Sequence, residues 1–282
     1  MINDIAPHRF SNIWKNDIIP QPDDYVVIFK DSDVLVKCAG EGDSFTLPCV
    51  FDIDNKITLK YLFMVDDKAY FTSLEIPENV GEALKYVSVR AYRQAEHLIG
   101  FPIITASQLH RWYVGNRFCG KCASPMTDSK TERALVCSKC GRTIYPTISP
   151  AVTVAVIDND ERILLAKSAV GTFKKFALVA GYTEIGESFE ETVTREVAEE
   201  VGLKVKNIRY YKSQPWGVSS TEMVGFFAEL DGSDEVTLQR EELSEARWFT
   251  PEEIEEPDDI SLTFEMIRMF KEGRVKEWKK DF

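Results

Sequence analysis

The sequence predicts an α/β protein, with an α/β/α sandwich that follows a small metal-stabilised ribbon and a mixed N-terminal region. Three observations support this. Two cysteine pairs lie near the middle of the chain, strand-length apolar runs and one strongly marked helix follow them, and short alternating apolar runs fill the first hundred residues. Since 282 residues exceed one average domain, we expect an N-terminal α+β domain over 1–112, a ribbon over 113–146 and a third domain over 147–282.

Apolar patterning predicts the secondary structure of each part. From Tyr25 to about Pro77, short alternating runs separated by Asp, Gly and Asn indicate a small antiparallel sheet. Helical spacing follows over roughly 80–98 and again around 106–114, and Thr250 with Pro251 is typical of a helix start. Strands are predicted in the last part at 151–157, 162–166, 176–180, 207–213, 221–230 and 245–249.

Composition narrows the function classes. A net charge of −12 disfavours broad electrostatic binding to a nucleic-acid backbone. No apolar run approaches the roughly 18 residues that span a bilayer, and no export signal opens the chain. We therefore expect a cytoplasmic protein without a membrane partner. The three histidines, His8, His97 and His110, are not at metal-ligand spacing, and we expect packing or surface roles for them.

The cysteine pairs Cys119/Cys122 and Cys137/Cys140 form two C-x2-C knuckles with fourteen residues between them. Four thiolates complete a tetrahedral zinc site and leave no open position, so the predicted role of the zinc is structural. The alternatives are four free buried cysteines, or a ribbon whose lysines and arginines bind nucleic acid. Glu132 and Asp128 dilute the positive charge that the second alternative needs.

The predicted catalytic element is a helix over residues 189–201. Ser188 and Glu191 form a capping box, and Gly202 is a helix terminator. At 100° per residue, Glu196 and Glu200 border the apolar stripe of the helix instead of lying opposite it. Carboxylates held near a core and near one another favour a hard cation such as Mg²⁺ or Mn²⁺. The alternative is an ordinary helix with a solvated glutamate-rich face.

The segment from Gly181 to Leu203 matches the Nudix signature G-x5-E-x7-R-E-U-x-E-E-x-G-U, where U is aliphatic, at every specified position. The chain therefore resembles the Nudix hydrolases. The resemblance implies that Glu196, Glu199 and Glu200 hold divalent cations, that Arg195 orients them, and that Glu187 supports the loop and helix. It also implies that water attacks phosphorus with Glu200 as the proton acceptor.

Three further matches resemble the NADH pyrophosphatase family. The four-cysteine ribbon directly precedes the signature, Tyr145-Pro146 follows the fourth cysteine, and Ser213-Gln214-Pro215-Trp216 begins ten residues after Leu203. This resemblance implies hydrolysis of NAD(H) to NMN(H) and AMP, with NAD-capped RNA as a further substrate of bacterial members. It also implies a homodimer, because the tyrosine after the ribbon serves the neighbouring subunit's site.

The resemblance assigns further site residues by position. The main-chain carbonyl of Ala180 and the side chain of Glu242 map onto additional metal contacts. The residues that map onto substrate contacts are Glu132, Tyr145, Tyr182, Ser213, Gln214, Trp216, Thr221 and Thr263. Without the resemblance, half-buried packing is the alternative role for the three aromatic residues in that set.

The chain departs from the family array S-Q-P-W-P-F-P-x-S. Gly217, Val218 and Ser219 stand where the family has Pro, Phe and Pro, so we expect a more flexible loop and the loss of one aromatic wall. Thr263 stands where the family has a small alanine. The sequence accordingly favours an NAD(H) diphosphatase. Another substrate, such as ADP-ribose, a dinucleoside polyphosphate or NAD-capped RNA, is the alternative. A non-enzymatic nucleotide sensor or nucleic-acid-binding protein is disfavoured because no signature glutamate is missing.

Overall fold

A computed structural model describes residues 1–38, 44–53, 56–78, 80–170 and 175–275. The chain forms two compact units. The N-terminal unit contains residues 2–147 together with 216–220, and the C-terminal unit contains Met1, residues 148–215 and the chain from Thr221 onward.

The N-terminal unit holds eleven described strands and one long helix. The elements are β1 (Phe10–Ser11), β2 (Tyr25–Val26), β3 (Phe29–Lys30), β4 (Asp33–Cys38), β5 (Phe45–Thr46), β6 (Lys60–Val65), β7 (Lys68–Thr72), β8 (Leu84–Ser88), α1 (His97–Gly115), β9 (Met126–Asp128), β10 (Leu135–Cys137) and β11 (Thr143–Ile144). Two four-stranded sheets precede the helix, one in the order β1-β6-β7-β2 and one in the order β3-β4-β5 with β8 also paired to β4. A three-stranded sheet, β11-β10-β9, lies in the cysteine ribbon.

The helix predicted over 80–98 is wrong. Residues 84–88 form strand β8, which pairs antiparallel with β4 from Asp33↔Ser88 to Lys37↔Leu84. A short 3-10 helix follows over Val89–Arg93, and α1 begins at His97. Pairing with a strand some fifty residues away has overridden the local helical spacing. The second predicted helix, around 106–114, is present but longer, because α1 runs from His97 to Gly115.

The C-terminal unit is an α/β/α sandwich, as the sequence predicts. The elements are β12 (Ser149–Ile157), β13 (Ile163–Ser168), β14 (Val179–Tyr182), α2 (Phe189–Val201), β15 (Val205–Trp216), β16 (Thr221–Leu230), β17 (Leu243–Phe249) and α3 (Leu262–Lys271). The sheet has the order β15-β16-β12-β13-β17, with β14 also paired to β12, and β12 and β16 run parallel.

Strand β12 shows why this unit has two layers of helix. Val152, Val154 and Val156 lie in the apolar cluster that contains Val193 of α2, whereas Ala155 and Ile157 lie in the cluster of α3. A strand that is buried on both faces reads as a continuous apolar run. Among the described helices, none combines the length and the apolar character of a membrane span.

Helix α2 has the predicted bounds and caps. Ser188 Oγ accepts a hydrogen bond from the Glu191 amide, while Glu191 Oε2 accepts one from the Ser188 amide. Gly202 ends the helix with φ 70°, a conformation that favours glycine. Thr250, by contrast, caps only a 3-10 turn over Pro251–Glu253. The final helix, α3, begins at Leu262 with Ser261 as its N-cap.

Candidate active site and metal centre

The four ribbon cysteines converge. Their sulfur atoms all lie within 4.8 Å of one another. The Sγ atoms of Cys119 and Cys140 are 3.7 Å apart, and those of Cys122 and Cys137 are 3.5 Å apart. Sulfur atoms bonded to one tetrahedral zinc ion at 2.3 Å would be separated by about 3.8 Å. The quartet therefore fits the ion that the cysteine spacing predicts.

Main-chain amides of the ribbon stabilise the thiolate form. The Lys139 and Cys140 amides each donate to Cys137 Sγ at 3.4 Å, and the Lys121 amide donates to Cys119 Sγ at 3.4 Å. The bonds from Cys140 and Lys139 lower the pKa of Cys137 to about 6. A thiolate is the form that binds zinc, so the turn geometry prepares the ligands for the metal.

The glutamates of α2 occupy two environments. Glu196 and Glu200 are buried, at 8% and 6% exposed, while the side chain of Glu199 is 55% exposed. Burial raises the pKa of Glu196. Burial, followed by the charges of Glu196 and Glu242, raises the pKa of Glu200 to about 8. The helix geometry predicts this burial, and such groups ionise only where a cation or a hydrogen-bond donor compensates them.

Arg195 connects the signature glutamates. Its Nε and Nη2 donate to the two oxygens of Glu187 at 2.6 and 3.1 Å. Nη1 donates to Glu196 at 2.7 Å and to Glu199 at 3.2 Å, and Nη2 also reaches the Tyr182 carbonyl at 2.9 Å. A planar guanidinium with five donors suits this network in a way that a lysine would not. Arg195 thus fixes the helix, the preceding loop and two carboxylates relative to one another.

Glu187 acts as a support within this network. Besides Arg195, its carboxylate accepts hydrogen bonds from the Glu184 amide and the Thr192 hydroxyl, both at 3.0 Å. These donors, Arg195 first, lower the pKa of Glu187 to about 2. Both carboxylate oxygens of Glu187 accept hydrogen bonds within the protein, which suits a residue that holds the loop against the helix.

Gly181 lies directly against the buried carboxylate. A Cβ atom added at this position would come closer than 3.0 Å to the carboxylate carbon and both oxygens of Glu196. Real Cβ atoms essentially never approach so closely. The first glycine of the signature therefore leaves the Glu196 carboxylate its place beside strand β14, and a side chain at this position would displace that carboxylate.

The remaining predicted metal contacts are less closely assembled. Ala180 is exposed on β14 next to Gly181, and Glu242 accepts a hydrogen bond from Gln239 Nε2 at 3.2 Å. Across the described ranges, the cysteine quartet is the one group of three or more His, Cys, Asp or Glu whose ligand atoms lie within 4.8 Å. Burial raises the pKa of Glu196 and Glu200, with a further contribution from the neighbouring carboxylates, and Arg195 holds Glu196 and Glu199.

Two predicted substrate residues of the C-terminal unit face each other. The hydroxyls of Tyr182 and Thr221 are 3.3 Å apart, and the Tyr182 ring is 52% exposed. Thr263 lies 3.2 Å, hydroxyl to hydroxyl, from the buried Thr153. Tyr182 is thus oriented by its hydroxyl with its ring accessible, which leaves it free to stack on a base.

The two predicted substrate residues of the ribbon are also paired. Tyr145 Oη donates to Glu132 Oε1 at 3.1 Å, and this bond raises the pKa of Tyr145. The Tyr145 ring is 55% exposed. An aromatic ring and a carboxylate are therefore presented side by side at one surface of the ribbon.

The Ser-Gln-Pro-Trp array differs from expectation. Gln214 is buried, donates to the Ile260 carbonyl at 2.9 Å and accepts from the Leu262 amide at 2.7 Å. Its amide thus supports the start of α3 instead of facing solvent. Ser213 is half-buried on β15, and the ring of Trp216 packs edge-on against Tyr92 at 6.1 Å.

Gly217 has a packing role that the sequence does not predict. It is buried, and a Cβ atom there would come closer than 3.0 Å to the main-chain carbonyl of Ile104. Its own carbonyl accepts a hydrogen bond of 2.6 Å from Arg111. The glycine therefore permits close packing of two backbones.

Two known protein families match consecutive parts of the chain between residues 116 and 270. Residues 147–270 match the NUDIX domain family, and residues 116–145 match the family described as the NADH pyrophosphatase zinc ribbon domain. The chain therefore contains a Nudix domain preceded by an NADH pyrophosphatase zinc ribbon.

Two similar proteins from Salmonella share one name. Proteins named NAD-capped RNA hydrolase NudC, from Salmonella heidelberg and Salmonella paratyphi B, are 44% identical over 142 residues, which cover 50% of this chain and 54% of each relative. The chain thus matches about half the length of these curated relatives. A solved Nudix hydrolase from Nitrosomonas europaea is 24% identical with a TM-score of 0.49, over 56% of this chain and 93% of that one.

Two hydrogen-bonded contacts of the described residues were not predicted from the sequence. The Thr192 hydroxyl donates a hydrogen bond to the Glu187 carboxylate from the first turn of α2. Arg111 lies 106 residues from Gly217, and no local pattern connects the two. Local sequence could have indicated the contact of Thr192, which follows Glu187 by five residues. The contact of Arg111 depends on tertiary structure.

Proposed function

We propose that the protein is a metal-dependent hydrolase that cleaves the diphosphate of NAD(H) to give NMN(H) and AMP. The observation that carries the proposal is the pair of buried glutamates on α2, Glu196 and Glu200, in a Nudix domain that follows an NADH pyrophosphatase zinc ribbon. The relatives named NAD-capped RNA hydrolase support a substrate that contains NAD.

The donor set fits a divalent cation. Glu196, Glu199, Glu200 and Glu242 supply hard carboxylate oxygens, and the Ala180 carbonyl would add one more. We propose Mg²⁺ or Mn²⁺, which would neutralise the diphosphate and acidify the attacking water when bound. Burial, together with repulsion from the neighbouring glutamates, raises the pKa of Glu200, and this combination supports a site built for positive charge.

The residues of the chain have distinct roles in this proposal. Glu200 accepts the proton of the attacking water, because it is the most strongly perturbed carboxylate and no hydrogen bond to a described residue occupies its carboxylate oxygens. Arg195 and Glu187 hold the loop and α2 in register. Tyr182 stacks on the base next to the diphosphate, and Thr221 orients its ring.

The other predicted contacts divide into two groups. We propose that Ser213, Trp216 and Thr263 shape the pocket wall and that Gln214 acts by holding the start of α3. Glu132 and Tyr145 form the ribbon's contribution. The resemblance directs Tyr145 to the neighbouring subunit's site, so we propose a homodimer. We also propose a cytoplasmic location and the domain division 1–112, 113–146 and 147–282.

NAD-capped RNA is the second candidate substrate, and the name of the relatives favours it. It shares the scissile diphosphate with NAD(H), so the same carboxylates serve both. The net charge of −12 disfavours extended contact with the RNA backbone. Recognition would then concentrate on the NAD cap.

The test is a substrate panel with zinc-loaded protein and Mg²⁺ or Mn²⁺. NADH, NAD⁺, NAD-capped RNA, ADP-ribose and a dinucleoside polyphosphate are compared by chromatography of the products. Release of NMNH and AMP from NADH at a rate comparable to or above the others supports the proposal. Rapid turnover of ADP-ribose or the polyphosphate without cleavage of NADH would overturn the substrate assignment.

A further inference from the structure

The segment Trp216–Ser220 connects two strands of the Nudix sheet but belongs by its contacts to the N-terminal unit. Trp216 packs edge-on against Tyr92, with the ring planes 83° apart. Gly217 lies against the Ile104 carbonyl of α1 so closely that no side chain fits between them. The segment is thus packed on a helix that lies outside the Nudix domain.

Arg111 of α1 bonds to this segment at two points. Its Nη2 donates to the Gly217 carbonyl at 2.6 Å and to Ser220 Oγ at 3.2 Å. Its Nη1 donates to Ser107 Oγ at 2.6 Å, one turn earlier on α1. The guanidinium is therefore oriented by its own helix through Nη1, and its Nη2 joins Gly217 to Ser220 within the segment.

The segment lies between two residues of the candidate site. Gln214, two residues before it, is bonded to the main chain at the start of α3. Thr221, directly after it, pairs with the hydroxyl of Tyr182. A displacement at Ser220 passes through one peptide bond to Thr221, and from there to the ring of Tyr182.

We propose that Arg111 is a positioning residue that fixes segment 216–220 and thereby places Thr221 and Tyr182 for the dinucleotide. This rests on the proposed function for the identity of the ligand. It gives helix α1 a role in substrate binding, although α1 contributes none of the signature carboxylates. We expect Arg111 to affect binding more than chemistry, because its side-chain hydrogen bonds go to Ser107, Gly217 and Ser220.

The first test measures the segment itself and needs no substrate. Hydrogen–deuterium exchange of the peptide covering residues 216–221 is compared in the wild type and in Arg111→Met, which keeps the aliphatic length but loses every donor. We expect exchange about tenfold faster in the variant, since loss of charge-assisted bonds promotes local opening. Arg111→Lys retains one charged donor nitrogen but not the planar guanidinium, and should lie between the two.

The matched control is Arg117→Met. Arg117 lies two residues beyond α1, and its guanidinium makes no hydrogen bond or ion pair with a described residue. It should exchange like the wild type over 216–221. Zinc content and circular dichroism check the folding of each variant. If Arg111→Met does not fold, Ser220→Ala removes one of the two bonds and should show the same change at smaller size.

The second test is kinetic. For NADH, Arg111→Met should raise KM about fivefold to tenfold, as expected for one lost hydrogen bond, with kcat within about twofold. Unchanged exchange at 216–221 would overturn the proposal, and so would faster exchange with an unchanged KM. Absence of NADH turnover in the wild type would instead contradict the proposed function, and the exchange experiment would still decide whether Arg111 holds the segment.

Discussion

Substitution of Gly181 by alanine tests how tightly the structure positions the reactive carboxylate. The added Cβ would lie closer than 3.0 Å to the Glu196 carboxylate, and ordinary contact begins at 3.4 Å, so the carboxylate or strand β14 must move by more than 0.4 Å. Glu196 is buried and bonded to Arg195 at 2.7 Å, and a shift there disturbs both. Displacements approaching 1 Å at a reacting centre can cost on the order of 100-fold in rate.

We therefore expect Gly181→Ala to lower kcat for NADH by about 100-fold, with an overpacking cost of about 1–3 kcal/mol in unfolding free energy. Initial rates of AMP release and thermal unfolding measure the two effects. Gly115→Ala is the matched control, because a Cβ there meets no atom within 4 Å, and it should retain full activity. A Gly181→Ala protein with kcat within about threefold of the wild type would refute the placement of Glu196.

Three further predictions follow from the same contacts. The buried Glu200 has a pKa of about 8 against an ordinary 4.5, so its ionisation opposes folding increasingly as the pH rises through this window. Glu200→Gln should therefore raise the unfolding free energy of zinc-loaded protein without added Mg²⁺ or Mn²⁺ at pH 7 by about 1–3 kcal/mol. Added Mg²⁺ should then raise Tm in the wild type and much less in the variant. Glu187 has its pKa lowered to about 2, so its ion pair with Arg195 stabilises fully above pH 4.5 and is lost as pH falls toward 2. Glu187→Gln should consequently show a shallower fall of Tm over that range, and parallel curves would contradict the pairing. Cys137→Ser should abolish stoichiometric zinc in metal analysis and expose residues 116–145 to proteolysis, whereas Cys38→Ser, outside the quartet, should change neither.

Local chemistry made the Nudix helix and the ribbon predictable. The bounds of α2 follow from Ser188, Glu191 and Gly202, all within two residues of its ends, and the burial of Glu196 and Glu200 follows from the helical angle alone. The cysteine quartet follows from its spacing. In each case the determining residues lie on the same short segment.

The features that the sequence did not predict depend on distant partners. Residues 84–88 form a strand because β4 offers an edge, and Gly217 packs against Ile104 and accepts a hydrogen bond from Arg111. The resemblance assigns Gln214 to the substrate, and in the fold its amide bonds to the main chain at Ile260 and Leu262. Tertiary pairing decides each of these, and one sequence carries no record of it.

The central claim is that the buried carboxylates of α2 hydrolyse the diphosphate of NAD(H). Its most direct test is the rate at which zinc-loaded protein forms NMNH and AMP from NADH with Mn²⁺, for the wild type and for Glu200→Gln at matched zinc content. We expect stoichiometric NMNH and AMP from the wild type and a loss of at least about 100-fold in kcat in the variant. Equal rates for the two proteins, or cleavage of NADH at any bond other than the diphosphate, would contradict it.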